Sequence, residues 1–121
     1  MSQLYTVEEA NALLPYLAPT LVELREKFEE ATVIKRRVTR AAATNGGSPE
    51  KEKWSRTLAR VGELVDRLQE WELELRDIAT GLVDFPAIVD GEEAWLCWRL
   101  GETDVGHWHP RGEGFSGRQP L

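Results

Sequence analysis

The first third of the chain alternates apolar and polar residues with the period of an α-helix. Thr6 and Glu9 have the spacing of a capping box, which marks a helix start. Apolar residues then recur in steps of four and three, a pattern typical of coiled coils, and predict a helix over residues 7–44. Pro15 and Pro19 lack the amide donor, so we expect a kink or a short separate helix there. The apolar positions are Ala10, Leu14, Leu17, Leu21, Leu24, Phe28, Ala31, Ile34, Val38 and Ala41.

A second helical pattern follows a break in the first. The segment from Asn45 to Ser48 contains two glycines and predicts a turn. Ser48 and Pro49 then supply an N-cap hydroxyl and a first-turn proline. We predict a second helix over residues 49–80, with Gly81 as its C-cap, packed antiparallel to the first. Its apolar face comprises Trp54, Leu58, Val61, Leu64 or Val65, Leu68, Trp71, Leu75 and Ile78.

After Gly81 the apolar period changes to two, which predicts a β-hairpin over residues 82–100. Asp90 and Gly91 are typical of a type I′ turn, and this turn sets the register. One face is then apolar, and the other pairs Asp84 with Cys97. Pro86 suits an edge strand. The apolar face pairs Val83 with Trp98, Phe85 with Leu96 and Ala87 with Ala94.

The last segment, residues 101–121, is rich in glycine and predicts a loop. It contains both histidines of the protein, His107 and His109, which point to the same side of an extended chain. Two imidazoles in this arrangement can bind a divalent transition metal such as zinc, with Glu102 as an oxygen ligand. The alternative is that both histidines bond to the backbone, and we expect no cofactor on that interpretation.

Cationic side chains near this segment suggest a second kind of site. Arg111 and Arg118 could hold a carboxylate or phosphate, with Asp84 and Arg99 close by on the hairpin. The alternative is an internal ion pair from Arg118 to Asp84 or Glu102, which we favour. The glycines here also match the dinucleotide fingerprint G-x-G-x-x-G, but too few residues follow for the helix that this motif requires.

Length, composition and charge limit the kinds of protein that this sequence can encode. The 121 residues are sufficient for one domain, 1–121, and 41% of them are hydrophobic. We expect a cytoplasmic protein that does not enter a membrane, because no long apolar segment or secretory signal is visible and Cys97 is the only cysteine. Cys97 lies in an apolar strand, where thiols are usually inert. The net charge of −6 disfavours nucleic acid, and the basic residues 35–40 complement a helix C-terminus.

Several segments resemble a family of small bacterial proteins catalogued as a domain of unknown function. They are LYTVEEANALLPYL near the start and GLVDFPAIVDG, LCWRLGE, HWH and GFSGRQPL near the end. The resemblance spans the whole chain and implies no activity. It implies that site residues are concentrated in the last third, namely Asp84, Phe85, Pro86, Trp98, Glu102, Trp108, His109, Gly117 and Arg118.

Two functions fit these observations. We expect a noncatalytic interaction or scaffold protein that forms a homodimer through its helices, because one helical hairpin is too thin to cover apolar residues such as Leu64, Trp71 and Leu73. The alternative is a metal- or small-anion-binding protein, with or without enzymatic activity, that uses the C-terminal His-x-His segment. The predicted fold class is mainly α with a small β part: an antiparallel helical hairpin, a β-hairpin and a glycine-rich loop.

Overall fold

A computed structural model describes residues 3–42 and 49–121 of the protein. Two helices come first, α1 over Val7–Ala42 and α2 over Pro49–Glu70. A sheet follows, and the predicted class, mainly α with a smaller β part, is confirmed. Its strands are β1 (Glu74–Asp77), β2 (Leu82–Val89), β3 (Glu92–Arg99), β4 (His107–Pro110) and β5 (Gln119–Pro120), with a 3-10 turn at Phe115–Gly117.

The first helix begins with the predicted capping box. The Thr6 amide donates to Glu9 Oε1 at 3.0 Å, and the Glu9 amide donates to Thr6 Oγ1 at 3.1 Å. Pro15 and Pro19 both lie inside α1, which runs without a break. The expected short separate helix is therefore wrong, because Ala10, Leu17 and Leu21, which are buried before, between and after the prolines, hold the segment helical. The predicted helix end at residue 44 and the turn at residues 45–48 lie outside the described residues.

The second helix ends ten residues earlier than predicted. The Leu73 amide bonds to the Leu68 carbonyl at 3.0 Å, and the Glu72 amide bonds to the Gln69 carbonyl at 2.9 Å. Glu72 has φ 57°. These bonds form a Schellman motif, in which Glu72 takes the left-handed position that glycine usually occupies. The chain turns there, so residues 74–77 form β1 instead of the last helical turns.

The five strands form one antiparallel sheet in chain order. The predicted hairpin register is confirmed, since Val83 pairs with Trp98 and Asp84 pairs with Cys97. The prediction that residues 101–121 form a loop is wrong in part, because this segment supplies β4 and β5. β4 pairs with β3, so the backbone groups along that side of β3 are satisfied.

Pro86 does not lie on an edge strand, as the hairpin pattern suggested, because β2 has β1 on one side and β3 on the other. β1 pairs with β2 only as far as Asp84. Beyond that point the Tyr5 amide donates to the Pro86 carbonyl at 2.7 Å. The missing amide of Pro86 therefore faces the side where no strand requires it.

One face of the sheet, which we call the inner face, packs on the helices. Leu17, Leu21 and Leu24 of α1 and Leu64 and Leu68 of α2 share one apolar core with it. The sheet contributes Leu73 from the preceding turn, Val83, Phe85, Ala87, Leu96, Trp98 and Val105. Neither α1 nor α2, over its described length, has a stretch long and apolar enough to cross a membrane.

Candidate functional site

The opposite face of the sheet, the outer face, carries a cluster of polar side chains. Strand alternation places Asp84 of β2, Cys97 of β3 and His109 of β4 on this face, because their neighbours Phe85, Leu96 and Trp98 point into the core. Each of the three is about 1% exposed. One potential ligand atom from each lies within 4.8 Å of the others. Three metal-ligand side chains on different strands therefore converge at one buried point.

The C-terminal segment covers this cluster and leaves a cavity. After β4 the chain folds back over the outer face, and a space of about 300 Å³ remains beneath it. Its lining includes the three clustered residues together with Arg76, Arg111, Glu113 and Phe115. The cluster is thus closed to bulk solvent but borders a cavity large enough for water or a small ligand.

His109 uses both ring nitrogens in polar contacts. Its Nε2 lies 2.9 Å from Asp84 Oδ2, and its Nδ1 lies 3.0 Å from the Pro110 carbonyl oxygen. A carbonyl oxygen only accepts, so Nδ1 is placed to donate to it. Nε2 is therefore the ring nitrogen directed at the cluster.

Among the described residues, only one of the two carboxylate oxygens of Asp84 has hydrogen-bond partners. Its Oδ2 also accepts from Arg76 Nε at 2.8 Å. Its Oδ1 is buried and finds no hydrogen-bond partner among the described residues. Buried carboxylate oxygens are nearly always satisfied, so an unsatisfied one beside a cavity marks a place where a ligand or ion can bind.

The thiol of Cys97 is protonated in the protein alone. Burial raises the pKa of this thiol, and the negative charge of Asp84 raises it further, to about 12. A nucleophilic cysteine needs the opposite shift, because the thiolate is the reactive form. The surroundings of Cys97 therefore agree with the prediction that this thiol does not act as a nucleophile.

The predicted set of Glu102, His107 and His109 does not gather around one point. His107 Nδ1 lies 3.8 Å from Glu102 Oε2, whereas His109 turns to Asp84. Glu102 also accepts a short hydrogen bond from Arg118, so the favoured internal ion pair of Arg118 is present. Side chains at 107 and 109 share a face as predicted, but they bond to different carboxylates.

The four residues predicted to bind an anion occupy two places. Asp84 and Arg111 line the cavity. Arg99 and Arg118 instead have their guanidinium carbons 5.5 and 5.0 Å from the centre of the Phe115 ring. Asp84 pairs with Arg76 and not with Arg118, for which Asp84 was one of two predicted partners. The reason is that β1 lies next to β2 and brings Arg76 closer.

Arg76 and Trp95 are site residues that the sequence reasoning missed. The Arg111 guanidinium carbon lies 3.9 Å from the centre of the Trp95 ring, and that of Arg76 lies 4.9 Å from it. Arg76 was assigned to a helix. The signal that could have placed it was the strict alternation of residues 71–76, in which Trp, Leu and Leu alternate with Glu, Glu and Arg.

The fold and the cluster define a class of protein: a helical hairpin packed on a five-stranded antiparallel meander, with a buried Asp-Cys-His group on the outer face. The chain belongs to the family described as an uncharacterized conserved protein (DUF2203), whose sequence model matches residues 3–121. No curated protein and no solved structure matches the chain. The expected membership in a domain family of unknown function is confirmed.

Proposed function

We propose that this protein binds one divalent transition-metal ion through Asp84, Cys97 and His109. The observation that carries the proposal is the approach of one ligand atom from each residue to within 4.8 Å of the others. Zinc binds sulfur, imidazole nitrogen and carboxylate oxygen at about 2.0–2.3 Å, which separates its ligands by roughly 3.5 Å. Side-chain movements of about 1 Å would close the cluster around such an ion.

The surroundings of the cluster support this proposal. The unsatisfied Asp84 Oδ1 would gain a partner in the ion, and the Cys97 thiol would release its proton to bind the metal as a thiolate. Three protein ligands leave a coordination position for water or a small ligand, and the ligands border the cavity. A cytoplasmic location, expected from the single cysteine, would keep Cys97 reduced.

Metal content and ligand substitution test the proposal. Purified full-length protein is stripped with a chelator, dialysed against zinc or cobalt, and analysed for bound metal. We expect one ion per chain, and a thiolate-to-cobalt charge-transfer absorption that disappears in Cys97→Ser. We expect Cys97→Ser and His109→Asn to weaken binding by tenfold or more, in line with the loss of one ligand in three.

The matched controls are His107→Asn and Glu102→Gln, which change the originally predicted set but leave the cluster intact. We expect both to bind metal like the wild type. Loss of binding in these controls with retention in Cys97→Ser would instead support the set of Glu102, His107 and His109. Wild-type protein without stoichiometric metal after dialysis would refute both versions.

We also propose that two copies associate through their helices, as expected from the sequence. The residues in contact differ from those that motivated this expectation. Leu64 and Leu73, which motivated a dimer, are buried within the chain against its own sheet. Phe28, Val33 and Leu58 remain, each more than 40% exposed on the helices. Phe28 and Val33 also line an apolar groove of about 640 Å³ between α1 and the turn after β1.

Sedimentation velocity tests this association. We expect a dimer at micromolar concentration that Phe28→Ser with Val33→Ser converts to a monomer, because the substitutions remove the exposed apolar surface. Ile88→Ser is the control, since Ile88 is equally exposed on the outer side of the sheet. A wild-type monomer, or a dimer that survives the double substitution and dissociates in the control, would contradict the proposal.

A further inference from the structure

The charges of the chain are divided between two regions. Residues 35–60 contain eight Lys and Arg but only two Glu, so this segment carries a net charge of +6. The rest of the chain therefore carries −12, because the whole carries −6. The net charge of −6 for the whole chain does not reveal this separation of positive and negative charge. Strong charge asymmetry within a chain indicates contact with a polyanion.

The fold places these cations at one end of the helical hairpin. The last turns of α1 and the first turns of α2 face each other, as shown by Arg37 Nη1 lying 4.0 Å from Glu50 Oε1. Arg60 is engaged by Glu23 and Glu63. The other seven cations are exposed. We call these seven residues the basic arm: Lys35, Arg36, Arg37, Arg40, Lys51, Lys53 and Arg56.

The helix dipole accounts for only part of the basic arm. Arg40 lies in the last turn of α1 and complements the negative helix terminus, as the sequence suggested. Lys51 and Lys53, however, lie in the first turns of α2, where the dipole favours acids and disfavours cations. Glu50 and Glu52 in the first turn supply the acids that the dipole favours, so the dipole does not explain the lysines beside them. A bound anion outside the chain would explain them.

We propose that the basic arm binds the phosphate backbone of nucleic acid. Arg40 lies five positions after Lys35, and Arg56 lies five positions after Lys51, so each helix presents cations along about 7.5 Å. Two packed helices are too wide to enter a major groove of about 12 Å together, so the arm would lie across phosphates without reading bases. This proposal replaces the expectation drawn from the net charge.

A membrane surface fits the basic arm less well. Interfacial helices place an apolar face beside their basic face, and that face enters the lipid. Within residues 35–40 and 49–56 the larger apolar side chains are Val38 and Trp54, and both are half-buried. Within these ranges the arm thus offers exposed charge without an exposed apolar face, and the exposed Val33 and Leu58 lie just outside them. Binding to a phosphate polymer in water requires exposed cations but no apolar face.

Salt-dependent binding to short RNA and DNA, single-stranded and duplex, tests the proposal on the full chain. We expect a dissociation constant of about 1–100 μM near physiological salt, and a logarithmic salt slope of roughly −3 to −5 on duplex DNA. We expect Lys51→Gln with Lys53→Gln, or Arg36→Gln with Arg40→Gln, to reduce this slope by about 1 to 2 and to weaken binding by roughly tenfold.

The matched control is Arg25→Gln with Lys27→Gln, which removes two cations from α1 outside the basic arm and changes the net charge equally. We expect binding to remain within about twofold of wild type. Circular dichroism melting confirms that each variant folds, and the α2 pair should melt no lower than wild type. Equal weakening in control and arm variants would overturn the proposal.

Three further outcomes would also overturn it. One is failure of the wild type to bind any of these nucleic acids at about 50 mM salt. Another is equal or tighter binding to anionic vesicles or polyglutamate, which would assign the basic arm to a lipid surface or an acidic protein. The third is low-salt self-association that nucleic acid does not reverse, because the arm would then bind the acidic part of a second copy.

Discussion

At the scale of single residues, Asp84 connects more of the outer face than any other side chain of the cluster. It accepts from His109 and from Arg76, and it contributes to the proposed metal site. Buried carboxylates are stable only when cationic partners compensate their lost hydration. The same partners lose their acceptor when the carboxylate is removed.

We therefore expect Asp84→Ala to lower the free energy of unfolding by about 1–3 kcal/mol, because the buried His109 is left without an acceptor, whereas Arg76 is 41% exposed and turns to water. Urea unfolding in the presence of chelator measures this without a contribution from metal. Asp66→Ala is the control, since Asp66 is exposed on α2 and should change stability by less than about 0.5 kcal/mol. Equal effects of the two substitutions would contradict this role of Asp84.

Glu102 should make stability depend on pH. Burial raises the pKa of its carboxyl, but the hydrogen bonds from Arg118 and the Arg99 amide lower it more, so the pKa lies below the ordinary 4.5. A lowered folded-state pKa stabilises the protein above 4.5, and this contribution is lost as the pH falls through the lowered value.

We expect Glu102→Gln to be less stable than wild type by about 1–3 kcal/mol at pH 7. The difference should shrink as the pH falls below 4.5, because protonation then removes the same charge from wild type. Urea unfolding over a pH series measures it, with Glu70→Gln on the exposed surface of α2 as the control. A difference that stays constant from pH 7 to the acid limit would disprove this assignment.

At the scale of secondary-structure elements, two turns decide the architecture. The Schellman motif at Glu72 ends α2 and allows β1 to form. Leu68 and Leu73, the two positions that this motif brings into apolar contact, both lie in the core. The hairpin turn has φ 53° at Asp90 and 81° at Gly91, as a type I′ turn requires.

We expect Gly91→Ala to lower the free energy of unfolding by about 1–2 kcal/mol, because an L side chain is strained at this positive φ. No atom lies within 4 Å of an added Cβ, so backbone conformation alone causes the loss. Gly114→Ala has equal space and φ −110°, and should be nearly neutral. Thermal unfolding compares the two, and similar melting temperatures would show that the turn tolerates alanine.

At the scale of the whole molecule, the helical hairpin has two unlike halves. Leu17, Leu21 and Leu24 of α1 lie in the core shared with the sheet. In residues 35–40 the side chains are exposed except for the half-buried Val38. Local stability follows the buried apolar contacts of a segment. The half that binds the sheet should therefore open less often than the basic half.

Hydrogen exchange measures this difference along α1. We expect amides of residues 35–40 to exchange at least about tenfold faster than those of residues 17–24, because their opening exposes little apolar surface. Addition of nucleic acid should slow exchange in residues 35–40 if the basic arm binds it. Uniform protection along α1 would show that the two halves open together.

The sequence reasoning succeeded where a local rule has one solution. The capping box at Thr6 depends on neighbouring residues alone. The register of β2 and β3 followed from one two-residue turn. The sequence reasoning failed at Glu72. A glycine usually marks the left-handed residue that ends a helix, and a glutamate at that position does not.

The candidate site was predicted residue by residue but not as a group. Asp84 and His109 were both named, yet they were assigned to different ligands, and Cys97 was set aside as inert. The separation of His109 from His107 arises because Asp84 lies two strands away and is reached across β3. The spacing of residues along the sequence does not predict which strands lie side by side, so it does not predict the contact between His109 and Asp84.

The sequence by itself determined the presence of two helices, the hairpin with its register and the division of charge, because these depend on periodicity, turn chemistry and residue counts. The tertiary structure alone decided which strands flank the hairpin, which carboxylate each histidine meets, and that Cys97 joins Asp84 and His109. Such contacts depend on where the chain turns after α2 and on how the C-terminal segment folds over the sheet. The pairing of distant segments is set by packing and backbone hydrogen bonding of the whole chain, which no local pattern specifies.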